Sequence, residues 1–146
     1  MKSSLALALL LAASLAHGAS TVTGAGRGTF PQGAALGTVS LSALRFGIGV
    51  GLSADGIATG DFQAVLQGVS LGQPRTIVVT GLVSKGSSTS SSATFSGVGT
   101  LDMGDGQPPA GGTPFTVTTT PGALTLTIGT ATLPAAAVGA GSLRVR

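Results

Sequence analysis

The stretch VSLSALRFGIGVGL, residues 39–52, contains the pattern that decides the fold. Val39 and Leu41 alternate with Ser40 and Ser42, so one face of an extended strand would carry the apolar side chains. The phase then slips by one residue near Ala43, after which Arg45 and glycines alternate with the apolar set Leu44, Phe46, Ile48, Val50 and Leu52. Alternation at period two indicates a half-buried β-strand, and the slip predicts a β-bulge or bend near Ala43 and Leu44.

The residues that follow continue this pattern as a hairpin. The segment Ser53-Ala54-Asp55-Gly56 contains the Asp-Gly pair of a tight turn. Phe62, Ala64 and Leu66 then alternate with polar residues and are expected to form the partner strand. The sequence TIVVTGLV, residues 76–83, is apolar on both faces, which is typical of a central strand.

The rest of the chain reads as short strands separated by turn-forming segments. Residues 85–92 are rich in serine and residues 104–114 in glycine and proline, and both are predicted to be loops. LTLTI, residues 124–128, is the clearest strand, and Ala135-Ala136-Ala137 leaves room for one helical turn at most. The eight or nine short strands predict an all-β fold, either an antiparallel sandwich or a small closed barrel.

The first eighteen residues have the features of a secretory signal peptide. Lys2 provides the positive start, residues 5–15 the apolar segment, and Ala16-His17-Gly18 the small residues of a cleavage site. The apolar run is shorter than the roughly 20 residues needed to span a bilayer. We expect cleavage after Gly18 or Ala19, a single domain over residues 19–146, and a secreted or periplasmic location.

Composition narrows the compartment and the partners. The chain has 25 glycines and no Cys, Trp, Tyr, Glu or Asn. Disulfides and N-glycosylation are therefore impossible, which suits a bacterial exported protein better than a eukaryotic one. Without Lys2, six basic residues stand against four acidic ones, so the net charge of residues 19–146 is +2. The basic residues are scattered and no aromatics lie between them, a pattern that argues against nucleic-acid binding.

The side chains that most enzymes use are missing once the leader is removed. His17 is the single histidine, so neither a Ser–His–Asp relay nor the usual zinc ligand set can form in residues 19–146. A paired-carboxylate hydrolase would need two of the four aspartates, but Asp55 lies in a predicted turn and Asp61 begins a predicted strand. A Ser–Lys dyad would depend on Lys85, within the serine-rich segment. We therefore predict that the protein is not an enzyme and needs no cofactor.

Asp102 and Asp105 are the candidates for a metal site. They stand three residues apart in the glycine-rich segment DMGDG, residues 102–106, and could bind a hard cation such as Ca²⁺. Calcium takes about six to eight oxygen ligands, whereas this segment supplies two charged ones. We prefer the interpretation that the Asp-Gly segments form turns.

Threonine is concentrated near the carboxyl end of the chain. Ordered rows of threonine on a flat sheet would suit an ice-binding face, and threonine is also a common outer-face residue of ordinary strands. Because no regular repeat predicts a flat sheet, we prefer the second interpretation for these residues: Thr118, Thr120, Thr125, Thr127, Thr130 and Thr132.

Several short glycine-containing segments share a pattern with a group of secreted bacterial β-domains. They are GAGRGTF (24–30), RFG (45–47), GDF (60–62), a strand ending at Gly81, a loop from Asp102 to Phe115, and GAGSL (139–143). Together they resemble the post-COAP type, which occurs alone or at the ends of large exported proteins. The resemblance implies a secreted β-domain and brings no established activity. The type usually has an Asp before the final Phe of the loop, where this chain has Thr113-Pro114, so no role of that Asp transfers.

Two functions stay open and a third is rejected. We favour a structural or interaction module of the bacterial cell exterior, with a surface glycan or a protein as its partner. The alternative is a carrier of small apolar ligands inside a barrel of about eight strands, although ligand pockets are usually rich in aromatics and the chain has five Phe as its only aromatics. An integral outer-membrane barrel is rejected, because such barrels carry aromatic girdles and the chain has no Trp or Tyr.

The melting temperature of the mature protein should be nearly constant between about pH 5 and pH 8. Aspartate ordinarily titrates near pH 4 and arginine stays charged, and residues 19–146 contain no His, Cys or Glu. The folded and unfolded states should therefore bind nearly equal numbers of protons across this range. Thermal melts followed by circular dichroism at constant ionic strength measure this. A shift of many degrees would point to a buried terminal amine or to a different cleavage site.

Overall fold

Ten strands form the protein in the computed structural model, which describes residues 19–146. The predicted all-β class is confirmed, and the predicted leader lies outside the described residues. The described part of the chain has no helix that is long and apolar enough to cross a membrane. The strands are β1 (Ser20–Thr29), β2 (Ala35–Leu36), β3 (Val39–Leu52), β4 (Ala58–Ser70), β5 (Gln73–Ser88), β6 (Ala93–Asp102), β7 (Ala110–Thr120), β8 (Ala123–Ile128), β9 (Ala131–Thr132) and β10 (Ala136–Val145).

The strands pair in a closed ring. The order is β1-β10-β8-β7-β6-β5-β4-β3, and β3 pairs in turn with β1. The two-residue strands β2 and β9 add to β3 and β8 outside the ring. The pairings are antiparallel. This arrangement agrees with the predicted antiparallel sandwich or small closed barrel.

Closure of the ring depends on the first strand. β1 lies between β3 and β10 and pairs with β3 over its whole length, from Ser20 opposite Leu52 to Thr29 opposite Ala43. Without β1, β10 would be attached only to β8, by the pairs that Ala136 and Ala137 make. The amino-terminal segment is therefore a structural part of the ring.

β3 has both the alternation and the bulge that its sequence predicts. Its register with β4 shifts between Leu41 and Ala43, so Ser42 is the extra residue. The Ser42 carbonyl accepts a hydrogen bond from the amide of Phe30 at 3.0 Å, and its hydroxyl donates to the carbonyl of Gln67 at 3.2 Å. The bulge keeps the apolar residues on both sides of the slip pointing into the interior, where they are buried.

Three phenylalanines meet in the interior. Phe62 of β4 stacks on Phe115 of β7, with ring centroids 5.5 Å apart and ring planes at 26°. Phe95 of β6 meets Phe62 edge-on at 6.1 Å and 66°. Such aromatic pairs stabilise a core by about 0.5–1.5 kcal/mol beyond the burial of their area. The Phe62–Phe115 stack joins two strands that are separated in the sheet by β5 and β6.

Glycines on β5 and β6 make this stack possible. Gly81 of β5 lies opposite Phe62 on one side and Gly99 of β6 on the other. A Cβ atom on Gly81 would overlap the ring of Phe115, so the ring rests directly on the glycine backbone. A Cβ atom on Gly97 or Gly99 would overlap a carbonyl oxygen of β5. Glycine at these positions therefore allows a close approach that other residues would prevent.

Two predicted loops were wrong in part, and one predicted strand differs in the burial of a residue. Residues 76–83 form a central strand as predicted, but Leu82 is 72% exposed, because a closed ring buries only one face. Residues 85–88 belong to β5 and residues 110–114 to β7, where loops were predicted, since backbone pairing does not require apolar side chains. Ala136 begins β10 and no helical turn forms there. Of the ten strands, eight are longer than two residues, in agreement with the predicted eight or nine.

Gly81→Ala should lower the free energy of unfolding by about 1–3 kcal/mol, because the added methyl overpacks the core against Phe115. Gly47→Ala is the matched control, since it lies within β3 and a Cβ atom there would meet nothing within 4 Å. The control should leave stability unchanged or raise it by up to about 1 kcal/mol. Urea unfolding of both variants gives the comparison. Equal losses would show that the contact between Phe115 and Gly81 is not the reason for the glycine.

Candidate functional site

An open groove of about 880 Å³ crosses the outer face of the sheet. Its lining comes from β1 and from β3 to β7. The lining side chains that stand between buried neighbours are exposed, which places the groove outside the ring. We define the groove by Gly47, Gly49, Asp61, Gln63, Thr80, Leu82, Val98 and Thr100.

Strand register arranges these residues in two rows that run across the strands. The first row is Gly49, Asp61, Leu82 and Val98, and the second row is Gly47, Gln63, Thr80 and Thr100. Between the rows lies the backbone of the strand residues that alternate with them and face the interior. This floor is formed by Ile48, Phe62, Gly81 and Gly99.

The two rows differ in chemistry. Leu82 is 72% and Val98 54% exposed, and the two lie opposite each other, so the first row ends in an apolar pair. In the second row the hydroxyls of Thr80 and Thr100 are hydrogen-bonded at 2.8 Å, and Gln63 is exposed beside them. Apolar surface beside a few fixed polar groups is the usual composition of a ligand site.

The β3 side of the groove carries no side chains. A Cβ atom on Gly47 would meet nothing within 4 Å, and one on Gly49 would approach only Oδ1 of Asp61, at 3.5 Å. A ligand can therefore approach the backbone of β3 closely at this end. Neither glycine has a positive φ, so larger residues fit there without backbone strain.

The aspartates and the lysine that the sequence identifies do not come together in one site. Asp61 lines the groove, and Asp55 lies in the turn between β3 and β4. Oδ1 of Asp102 accepts a hydrogen bond from the amide of Gly104 at 2.9 Å, and Oδ1 of Asp105 accepts one from the amide of Gln107 at 3.0 Å. Lys85 is exposed on β5, opposite Ser96. Within residues 19–146, no group of three or more His, Cys, Asp or Glu side chains could hold a metal ion.

The threonines near the carboxyl end hydrogen-bond across strands. Thr118 lies opposite Thr94 and Thr125, and its hydroxyl is 3.1 Å from that of Thr94. Thr127 and Thr132 are likewise joined at 3.1 Å. These rows belong to a sheet that closes on itself and therefore follow its twist, and their role as an ice-binding face stays a hypothesis.

Sequence reasoning did not identify the groove. Gln63, Thr80, Leu82 and Val98 are ordinary strand residues, and only the register of β4, β5 and β6 brings them together. The available signal was the run of alternate glycines in β3, which indicates a bare outer surface once the apolar set is assigned to the interior.

The turn between β4 and β5 presents another exposed apolar residue, outside the groove. Leu71 is 97% exposed and has a φ of 52°, followed by Gly72 with a φ of 74°. Positive φ at both central residues is typical of the type I′ hairpin turn, where Asn or Gly is preferred to a leucine. Nothing in the structure explains the choice of leucine here.

Comparison of the chain with protein-family models, with curated proteins and with solved structures gave no match. The resemblance to the post-COAP type therefore stays a prediction.

Acid should weaken one contact in the β3–β4 turn. The hydroxyl of Ser53 and the amide of Ile57 both donate to the carboxylate of Asp55, and these bonds hold the pKa of Asp55 below its ordinary value of 3.8. Because the pKa is lower in the folded state, the ionised carboxylate of Asp55 stabilises the fold above about pH 4. This contribution is lost as the pH falls through the pKa of Asp55 in the folded state.

Ser53→Ala should therefore lower the melting temperature at pH 6 by more than it does at pH 2. In acid the single proton of this hydroxyl can be donated to the carbonyl of Ile57, 2.8 Å away, and because that bond does not depend on ionisation some difference should persist. Ser90→Ala, in the exposed turn between β5 and β6, is the control and should show no pH-dependent difference. A Ser53→Ala effect that is equal at both pH values would contradict the assignment.

Proposed function

We propose that the protein is a non-catalytic module of the bacterial cell exterior that binds a surface glycan in the groove. The observation that carries the proposal is the exposed Leu82–Val98 pair beside hydrogen-bonding side chains on the outer face. Exposed apolar patches that are rimmed by polar groups mark interaction sites on soluble proteins.

The chemistry of the groove suits a sugar chain. Each sugar unit presents hydroxyls that both donate and accept hydrogen bonds, together with a face of C–H groups. Gln63, Thr80 and Thr100 both donate and accept, and Asp61 accepts. Leu82 and Val98 offer the apolar surface for the C–H face.

The dimensions of the groove also suit an extended chain. It crosses six strands, which at roughly 4.8 Å per strand gives about 24 Å along the sheet. Its volume of about 880 Å³ falls within the roughly 300–1,000 Å³ of ligand sites. Several sugar units could lie across the strands with their edges toward the two rows.

The alternative function, a carrier of apolar ligands, would need space inside the ring. Phe62, Phe95 and Phe115 occupy the interior and are at most 2% exposed. Leu126 and Val117 are buried in the same core cluster. The proposal therefore places the ligand on the outer face.

Gly47→Tyr should abolish binding of the glycan, because the ring would occupy the groove beside Gln63. Ser90→Tyr is the control, since Ser90 is exposed in the turn between β5 and β6 and does not line the groove. Affinity electrophoresis of residues 19–146 in gels containing dextran, xylan, alginate or dextran sulfate measures binding. Both variants should melt within a few degrees of the wild type.

The expected result is retardation of the wild type and of Ser90→Tyr by at least one polysaccharide, with the retardation lost in Gly47→Tyr. Absence of retardation in all four gels would overturn the proposal, and so would equal retardation of the two variants. Bound lipid or pigment in native mass spectrometry of the protein from its host would favour the carrier instead.

A further inference from the structure

We propose that the glycan is acidic and that Arg27 and Arg45 bind its anionic groups beside the groove. This inference rests on the proposed function and narrows its ligand to sugars that carry a carboxylate or a sulfate. The register of β1 against β3, the exposure of both arginines and their charge support it.

The two arginines form a direct cross-strand pair. Arg27 of β1 lies opposite Arg45 of β3, and both are exposed on the outer face. Directly opposed residues of antiparallel strands have Cβ atoms about 4.5–5.5 Å apart. Two guanidinium groups are therefore held within reach of a single anion.

No acidic residue lies next to this pair in the sheet. The other cross-strand neighbours are Ala140 for Arg27 and Val65 for Arg45. The residues two positions away on the same strands are Ala25, Thr29, Ala43 and Gly47. Like charges directly opposite each other destabilise a sheet, and a bound anion would remove that repulsion.

The pair adjoins the β3 end of the groove. Arg45 and Gly47 lie on the same face of β3, two residues apart, which is about 7 Å. Because Gly47 has no side chain, nothing at that position separates the guanidinium of Arg45 from a ligand in the groove. Asp61 lies opposite Gly49, about 13 Å along β3 from Arg45, so the single carboxylate of the groove is at the far side from the pair.

The guanidinium group is suited to this role. It presents its N–H donors in a planar fork that matches a carboxylate or sulfate, and it remains charged at all accessible pH values. A sugar acid seated over Gly47 would place its charge against the two arginines and its hydroxyls against Gln63 and Thr80. The charge would thus fix the position of the chain in the groove.

The test compares two double variants that remove the same charge. Arg27→Gln/Arg45→Gln removes the pair, and Lys85→Gln/Arg146→Gln removes two exposed basic residues elsewhere. Isothermal titration with alginate, dextran sulfate and neutral dextran at about 0.15 M salt gives the affinities. Arg27→Lys/Arg45→Lys keeps the charge without the fork, and melting curves verify that each variant is folded.

We expect the wild type to bind alginate or dextran sulfate at least tenfold more tightly than dextran. The Arg27→Gln/Arg45→Gln variant should lose at least tenfold toward the acidic polymer, the lysine variant should lose less, and the control less than threefold. Equal losses in the two glutamine variants would overturn the inference in favour of attraction by net charge. Binding of neutral dextran alone would overturn it while leaving the proposed function intact, and binding of none of the three polymers would overturn both.

Discussion

The contact of Phe115 with the backbone of Gly81, under the stack of Phe115 on Phe62, is the interaction on which the rest of the structure depends. The stack joins β4 and β7 through the interior, although β5 and β6 separate these strands in the sheet. The stack requires that the residue beneath the ring of Phe115 has no side chain, and that residue is Gly81. Because the rings fill the centre, the groove lies on the outside of the ring.

Glycines serve two purposes, according to the face on which they fall. Gly81, Gly97 and Gly99 belong to the inward set, where any side chain would collide with a ring or with a neighbouring strand. Gly47 and Gly49 belong to the outward set, where a side chain would meet almost nothing and would only fill the groove. Substitution at the first set is expected to affect stability, and substitution at the second to affect binding.

Charge is scarce in this chain, so its placement is informative. Three of the four aspartates accept hydrogen bonds within turns, namely Asp55, Asp102 and Asp105. Asp61 lines the groove. Arg27 and Arg45 oppose each other, an arrangement that costs stability unless something negative binds there. A local electrostatic cost at this pair, and not the net charge of the chain, therefore favours an acidic ligand.

The sequence by itself determined the all-β class, the inward set of β3, the bulge beside Ala43 and the Asp-Gly turn, because each of these depends on residues only a few positions apart. It also identified Asp61, but not as part of a groove. The tertiary structure alone decided that β1 closes the ring, that Leu82 is exposed, and that Gln63, Thr80 and Thr100 share a row. Periodicity fixes which face of a strand is apolar, but it does not encode which strand lies alongside. The pairing of Arg27 with Arg45 was fixed only when the ring closed and set the register of β1 against β3.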